Sequence, residues 1–488
     1  MMATQVLISN LSVSYGLTTV LNDLSWTISA SENYVLAGKS GSGKTTLAKA
    51  IAGLISGSGD IKVIFDGNSP LLEKVIYVSN WYQFTNLEGD RNFYYQQRYN
   101  RHQGNDTLTV KAELLHFANK EALNLEDIQD KIVAMGFAHN MDSQLIELSS
   151  GEHKKLQLLK FLWLKPQLLI IDEPYTGLDK QSRVELNIWL DELVEEGVQL
   201  IIISNDKQLP KSINRYAHIV DGQIETLGSF DEIIQDEKRI KKELPSFLHK
   251  VPVTNYDTVA NLKDIIIRYG DKVVLNKVSW RVDVGEKWLL QGPNGSGKST
   301  LLSLINGDHP QSYGLDIELF GNKRGSGESI WDIKQKIGMI SPEMHWYFDQ
   351  NATVWHTLAS GFYDSIGWFI DVKFQEKKQI EELMAFFDLT EHKDQLLHTL
   401  PLGKQRLAML ARSIIKNPPL LVLDEPCQGL DAQQAKYFND VVDELCQHGK
   451  TLIYVGHYES QLPSCIEKRI ILEKGEVIAL ENIIENVL

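Results

Sequence analysis

GKSGSGKT at residues 38–45 and GPNGSGKS at 292–299 decide how this chain is built. Both fit G-x-x-x-x-G-K-[ST], whose glycines let successive backbone N–H groups wrap a phosphate chain without Cβ clashes. Gly38, Gly41 and Gly43 supply that freedom in the first, and Gly292, Gly295 and Gly297 in the second. Each loop follows an apolar run and leads into a helical pattern such as KTTLAKAIAGLI, so a helix N-terminus points at the same phosphates. Lys44 and Lys298 are placed to reach the β- and γ-phosphates, and Thr45 and Ser299 to bind Mg²⁺. Thr46 and Thr300 beside them complete the expected nucleotide-binding set.

Outward from the loops, the chain repeats itself. SVSYG at 12–16 returns as IIRYG at 266–270, LLIIDEP at 168–174 as LLVLDEP at 420–426, and GLD at 177–179 as GLD at 429–431. Tyr15 precedes Lys44 by 29 residues, and Tyr269 precedes Lys298 by 29. The offset between copies is 254 at the loops (298 − 44) and 252 at the aspartates (424 − 172), so the duplication stays in register. We therefore expect a first domain at 1–232, a linker at 233–256 and a second domain at 257–488. The linker is charged and holds two prolines, which predicts a helix followed by an extended segment. Short β-branched runs (YVLAG, VIYVS, LLIID, LIIIS) alternate with helical patterns in each copy. That alternation predicts an α/β fold with a largely parallel sheet core flanked by helices.

LLIID and LLVLD each carry an aspartate out to the C-terminal end of a buried strand, where ligands of parallel sheets bind. Asp172 and Asp424 are the expected Mg²⁺ ligands, and Glu173 and Glu425 the groups that polarise an attacking water. Bulk properties agree with such a protein. The 488 residues are too many for one core, and 43% hydrophobic and 23% charged residues are ordinary for a globular chain. A formal charge of −15 argues against nucleic acid as the main partner. Cys427, Cys446 and Cys465 form no Cys-x-x-Cys pair, so neither a zinc site nor a disulfide framework is expected. MMATQVLISN lacks the basic and apolar regions of a secretory leader, and no run approaches the roughly 18 apolar residues of a membrane span. A cytoplasmic location is expected, at the inner face of the membrane if other chains supply the span.

LSSGE at 148–152, with Ser149 lying 23 residues before Asp172, resembles the signature motif of ATP-binding cassette (ABC) ATPases. Tyr15 and Tyr269 resemble that family's adenine-stacking aromatics, so the resemblance covers both halves. It implies two P-loop nucleotide-binding domains, each with a helical subdomain, paired head to tail within the chain. Each ATP then lies between the Walker motifs of one cassette and the signature of the other. GDHPQ at 307–311, GSGESIWDIK at 325–334, SGFYDSIG at 360–367 and YYQQRYN at 94–100 further resemble bacterial tandem-cassette members linked to molybdate-transport operons.

The resemblance also exposes departures. The second signature reads LPLGK at 400–404: Pro401 brings no hydroxyl and no N–H, and Leu402 stands where glycine allows close approach. The cassette facing it carries Asn205 at the family's histidine switch. Both defects fall in one composite site, where Gly403 still offers backbone to a phosphate. The other site combines Tyr269, Lys298, Ser299, Asp424, Glu425 and His457 with Ser149, Ser150, Gly151 and Glu152. It is expected to be the hydrolytic one. The glutamine that couples the family to transmembrane subunits is replaced by Asn80 and Pro342, with Gln83 a short shift away. Three roles stay open: the ATP-binding component of a transporter with separate permease subunits, a regulatory switch without a membrane partner, and a ribosome-associated factor of the duplicated-cassette kind.

Overall fold

The computed structural model describes residues 4–16, 18–65, 75–79, 107–148, 150–164, 166–227, 243–250, 255–269, 272–346, 348–364, 372–456 and 462–483. Among them two compact units form, one from residues 4–227 and one from 243–483.

The first unit contains β1 (Thr4–Tyr15), β2 (Thr18–Ile28), β3 (Tyr34–Ala37), β4 (Ser58–Phe65), β5 (Val75–Val78), β6 (Leu168–Asp172), β7 (Gln199–Ile203), β8 (Arg215–Val220) and β9 (Gln223–Leu227). An antiparallel sheet runs β2-β1-β4, and a second sheet runs β5-β6-β7-β3-β8-β9. The second is parallel throughout except for the closing β8–β9 pair.

The second unit contains β10 (Thr258–Tyr269), β11 (Lys272–Asp283), β12 (Lys287–Gln291), β13 (Asp316–Leu319), β14 (Asn322–Lys323), β15 (Ile337–Ile340), β16 (Leu420–Asp424), β17 (Thr451–Val455), β18 (Lys468–Glu473) and β19 (Glu476–Asn482). Its large sheet, β15-β16-β17-β12-β18-β19, repeats the first position for position.

The unbroken apolar runs follow from this order, because a parallel sheet is covered on both faces. Leu168 and Ile170 of β6 enter the core shared with the antiparallel sheet, whereas Leu169 and Ile171 enter the core under the helices. Leu420 and Val422 of β16 part from Leu421 and Leu423 in the same way. The helical cores gather Val110–Glu121 and Ser150–Trp163 in the first unit and Val354–Ser360, Phe374–Phe386 and Leu402–Ile414 in the second.

The repeated GLD is a helix start. Asp179 and Asp431 accept the backbone N–H of Ser182 (2.8 Å) and Gln434 (2.7 Å), capping the helices that begin at Lys180 and Ala432. The helix after the first phosphate loop is shorter than its pattern, spanning Lys44–Ile51, because the chain turns left-handed at Gly53.

The end of the expected linker is packed rather than simply extended. Leu244 and Leu248 are buried in the second unit's core, and Ser246–His249 form a 3₁₀ turn. Asn417 Nδ2 donates to the carbonyls of Phe247 (3.1 Å) and Lys250 (2.9 Å). The expected linker helix, YYQQRYN, Gln83 and residues 365–367 lie outside the described residues. Among the described residues no helix is long and apolar enough to cross a membrane.

Candidate nucleotide-binding sites

In the first unit β3 runs into the phosphate loop at Gly38, whose φ of +147° is open to glycine alone in practice. Lys44 Nζ curls back to donate to the carbonyls of Gly38 (2.6 Å) and Lys39 (2.8 Å). One strand over from β7, β6 delivers Asp172 to the same end of the sheet. Asp172 Oδ2 accepts hydrogen bonds from the Thr45 hydroxyl (2.7 Å) and the Tyr77 hydroxyl (3.0 Å). A hydroxyl beside a carboxylate is a hard oxygen donor set, which fits Mg²⁺. Burial and the Asp172 charge push the Tyr77 phenol well above its ordinary range, so it remains a donor. Asn205 is tied to the loop backbone: its Oδ1 accepts from Gly38 N–H (3.1 Å) and its Nδ2 donates to Gly38 C=O (3.2 Å).

Glu173 and Glu425 both sit in the left-handed region, at φ +47° and +44°. For a residue with a Cβ that costs about 1–2 kcal/mol, and its recurrence in both copies marks a functional constraint. Each backbone N–H donates to the neighbouring strand, Glu173 to Ile203 C=O (2.9 Å) and Glu425 to Val455 C=O (3.1 Å). The chain therefore turns sharply after the aspartate while staying bonded to the neighbouring strand.

Desolvation, with Asp172 adding repulsion, pushes the Glu173 carboxyl up to about 8. Lys154, from the helix that LSSGE opens, is buried and donates to Ser79 C=O (3.0 Å) at the end of β5. Burial brings its ammonium down to about 7, while Asp172 and Glu173 oppose that shift. The raised Glu173 carboxyl binds a proton in the folded chain that the unfolded chain has released above pH 4.5, so stability falls as pH rises towards 8. Between pH 5 and 7 Lys154, at about 7, and His309, brought down to about 4 by burial, also bind protons differently in the folded and unfolded chain, so the Glu173 contribution is read as the difference between the variant and the unsubstituted chain. Glu173→Gln should therefore gain thermal stability over the unsubstituted chain across that window, at about 2–4 °C for each kcal/mol recovered. Melting curves at pH 5 and pH 7 measure it, and parallel shifts at the two pH values would contradict the assignment.

The second unit repeats the frame. Gly292 has φ +151°, and Lys298 Nζ donates to Gly292 C=O (2.8 Å) and Pro293 C=O (3.0 Å). Asp424 ends β16 and is buried. Gln428 Nε2 donates to Glu425 Oε2 (2.8 Å), orienting that carboxylate. Arg406, fully buried in the helix Leu402–Ile414, reaches the Gln428 carbonyl at 3.5 Å. Pro401 is that helix's N-cap and makes no capping bond, as its chemistry requires. Gly403 is buried against the Gln434 side chain, and Pro342 opens the short helix Pro342–Trp346.

The structure thus brings Lys44, Thr45, Asp172, Glu173 and Asn205 to one end of the first large sheet. Gly292, Lys298, Asp424 and Glu425 share the equivalent end of the second. Tyr15 is 52% exposed, and the Tyr269 hydroxyl lies 2.8 Å from His309 Nε2. Ser149, Asn80 and His457 lie outside the described residues, and Ser150 is placed only as the first residue of its helix. Tyr77, Lys154, Gln428, Arg406 and His309 were not singled out from the sequence. A signal existed for one pair: Lys154 and Arg406 stand 252 positions apart, the offset of the aspartates, and both are cations on a largely buried helix face.

The ABC transporter family model matches residues 21–176 and again 275–428. The chain is 33% identical over 465 residues to the ABC transporter ATP-binding protein ModF of Escherichia coli, covering 91% of this chain and 92% of that one. It is 29% identical to an uncharacterised ABC transporter ATP-binding protein of Schizosaccharomyces pombe, covering 94% and 96% of the two chains. A solved nucleotide-free ATP-binding cassette from an ABC transporter aligns over 47% of this chain and 94% of its own, at 23% identity and a TM-score of 0.42. With both phosphate loops and both aspartate strands inside the matched segments, the chain belongs to the ABC transporter family of ATP-binding proteins and carries two cassettes in tandem.

Proposed function

We propose that this protein binds two ATP molecules between its cassettes in a head-to-tail arrangement and hydrolyses mainly one of them. The carrying observation for ATP chemistry is the Thr45 hydroxyl set 2.7 Å from the Asp172 carboxylate, directly behind the phosphate loop. Thr45 and Asp172 would hold Mg²⁺ there, and the ion would supply charge neutralisation for the phosphates. Lys44 and Lys298, now turned onto loop carbonyls, exchange those contacts for phosphate oxygens. Glu425, aimed by Gln428, orients the water and accepts its proton, while Ser299 and Asp424 serve the second cassette as Thr45 and Asp172 serve the first.

Three features support unequal sites. Asn205 is engaged with the loop backbone and cannot relay a proton as an imidazole does. In the nucleotide-free chain, desolvation and the Asp172 charge raise the Glu173 carboxyl, which weakens it as a proton acceptor. Pro401 and Leu402 remove a hydroxyl, an N–H and clearance from the signature that faces this cassette in the proposed pairing. After a single exposure to radiolabelled Mg·ATP and rapid quenching, the chain should retain about one ATP and one ADP. Two ADP per chain would contradict the asymmetry.

The proposed role is the ATP-binding component of a transporter, as the ModF relative is named. The replacement of the coupling glutamine by Asn80 and Pro342 favours a regulatory switch without membrane subunits as the second reading. Co-purification of an integral membrane protein with the ATP-trapped chain separates the two.

A further inference from the structure

GDHPQ at 307–311 follows the second phosphate-loop helix, and nothing in ATP hydrolysis accounts for it. Its histidine is fully buried, with its ring between two polar partners. His309 Nδ1 accepts the backbone N–H of Gln311 at 3.2 Å. A ring nitrogen that accepts carries no proton, so the proton sits on Nε2. Nε2 lies 2.8 Å from the Tyr269 hydroxyl and therefore donates to it. The two rings are 6.0 Å apart and tilted by 55°, so the contact is through the polar edge rather than by stacking. Gln311 closes the arrangement by donating from Nε2 to the carbonyl of Arg268 (3.0 Å), the residue before Tyr269. Desolvation brings the imidazole down to about 4, which keeps it neutral and in this tautomer at physiological pH.

The first cassette provides a natural contrast. At the loop offset of 254, the residue in register with His309 is Ile55, which can hold no hydroxyl. Its tyrosine, Tyr15, is 52% exposed, whereas Tyr269 is partly covered and packs against the second unit's core. Tyr269 is thus held by a hydrogen bond and core packing, whereas Tyr15 stands half-exposed.

We propose that His309 is a positioning residue that locks the Tyr269 ring in place as a platform for the nucleotide base, giving the second cassette a base-selective site that the first lacks. This rests on the ATP-binding reading above. Holding a ring in its bound orientation lowers the ordering cost of stacking a base on it. It leaves untouched the phosphate contacts that loop backbone and Lys298 would make in the proposed reading.

The test uses the full-length chain with photoreactive azido-ATP, each cassette's labelling being quantified by peptide mapping. ATP and inorganic tripolyphosphate serve as competitors. His309→Ala should weaken ATP competition at the second cassette by about three- to tenfold and leave tripolyphosphate competition and first-cassette labelling unchanged. His309→Gln, whose amide can both accept from Gln311 N–H and donate to the tyrosine, should restore most of the loss. If Tyr269→Ala weakens ATP competition and His309→Ala does not, the positioning role is overturned while ATP binding stands. An equal loss for tripolyphosphate overturns it too, because a merely structural histidine acts that way. If the unsubstituted chain is not labelled in the second cassette at all, the ATP-binding reading falls and this inference with it.

Discussion

Glu425→Gln is expected to lower steady-state ATP turnover by about 10²–10³-fold, while Glu173→Gln lowers it by less than about threefold. Glutamine keeps the volume of the side chain, and its amide oxygen can still accept from Gln428 Nε2, so the turn at φ +44° should survive. What disappears is the negative charge that draws a proton from the attacking water. In the first cassette less is lost, because Asn205 and the Pro401-Leu402 signature already impair that site in the proposed pairing. Phosphate release from the two purified variants decides the matter, and comparable losses would remove the asymmetry between the sites.

Gly292→Ala is expected to cost at least about 3 kcal/mol of stability in the second cassette and to abolish nucleotide binding there. Two effects add. A φ of +151° lies where residues with a Cβ are essentially never found. The added carbon would also stand 2.2 Å from the carbonyl oxygen of Leu472 and 2.7 Å from Ser296 Oγ. Leu472 belongs to β18, which pairs with β12 up to Gln291↔Ile471, so relief would require parting the sheet beside the phosphate loop. Gly295→Ala is the control: its φ is +76° and its Cβ would meet nothing within 4 Å, which leaves only the backbone penalty of about 1–2 kcal/mol. Thermal unfolding without nucleotide should rank the two variants accordingly, and equal melting temperatures would show that the steric argument is wrong.

Legibility in the sequence followed the distance over which each feature is encoded. The phosphate loops and the aspartate strands are each set within eight consecutive residues, so their candidate chemistry showed in the order of side chains, whereas GLD showed only as a repeat and its capping role came from the fold. The linker was less legible because Leu244 and Leu248 look like an ordinary apolar pair until the second unit's core is seen to receive them. Lys154 and Arg406 are charged residues that no sequence motif placed in the interior. In the fold they are buried, because the helices that carry them pack against the sheet end that bears Asp172 in one unit and reach Gln428 in the other. The left-handed glutamates left no trace in composition, since that conformation is forced by the hydrogen bonds to Ile203 and Val455 on adjacent strands.

By itself, then, the sequence determined the duplication, the α/β cassette class and the candidate phosphate- and metal-binding side chains, because the physics of those motifs is local. Tertiary structure alone decided which polar groups aim the reacting ones. Tyr269 and His309 are 40 residues apart, and Gln199 of the first core bonds carbonyls 170 and 167 positions away. Contacts of that span depend on sheet order and on the register of each strand. Ile55 and His309 occupy the same place in the two copies, and only the fold shows that His309 meets Tyr269 at the end of β10.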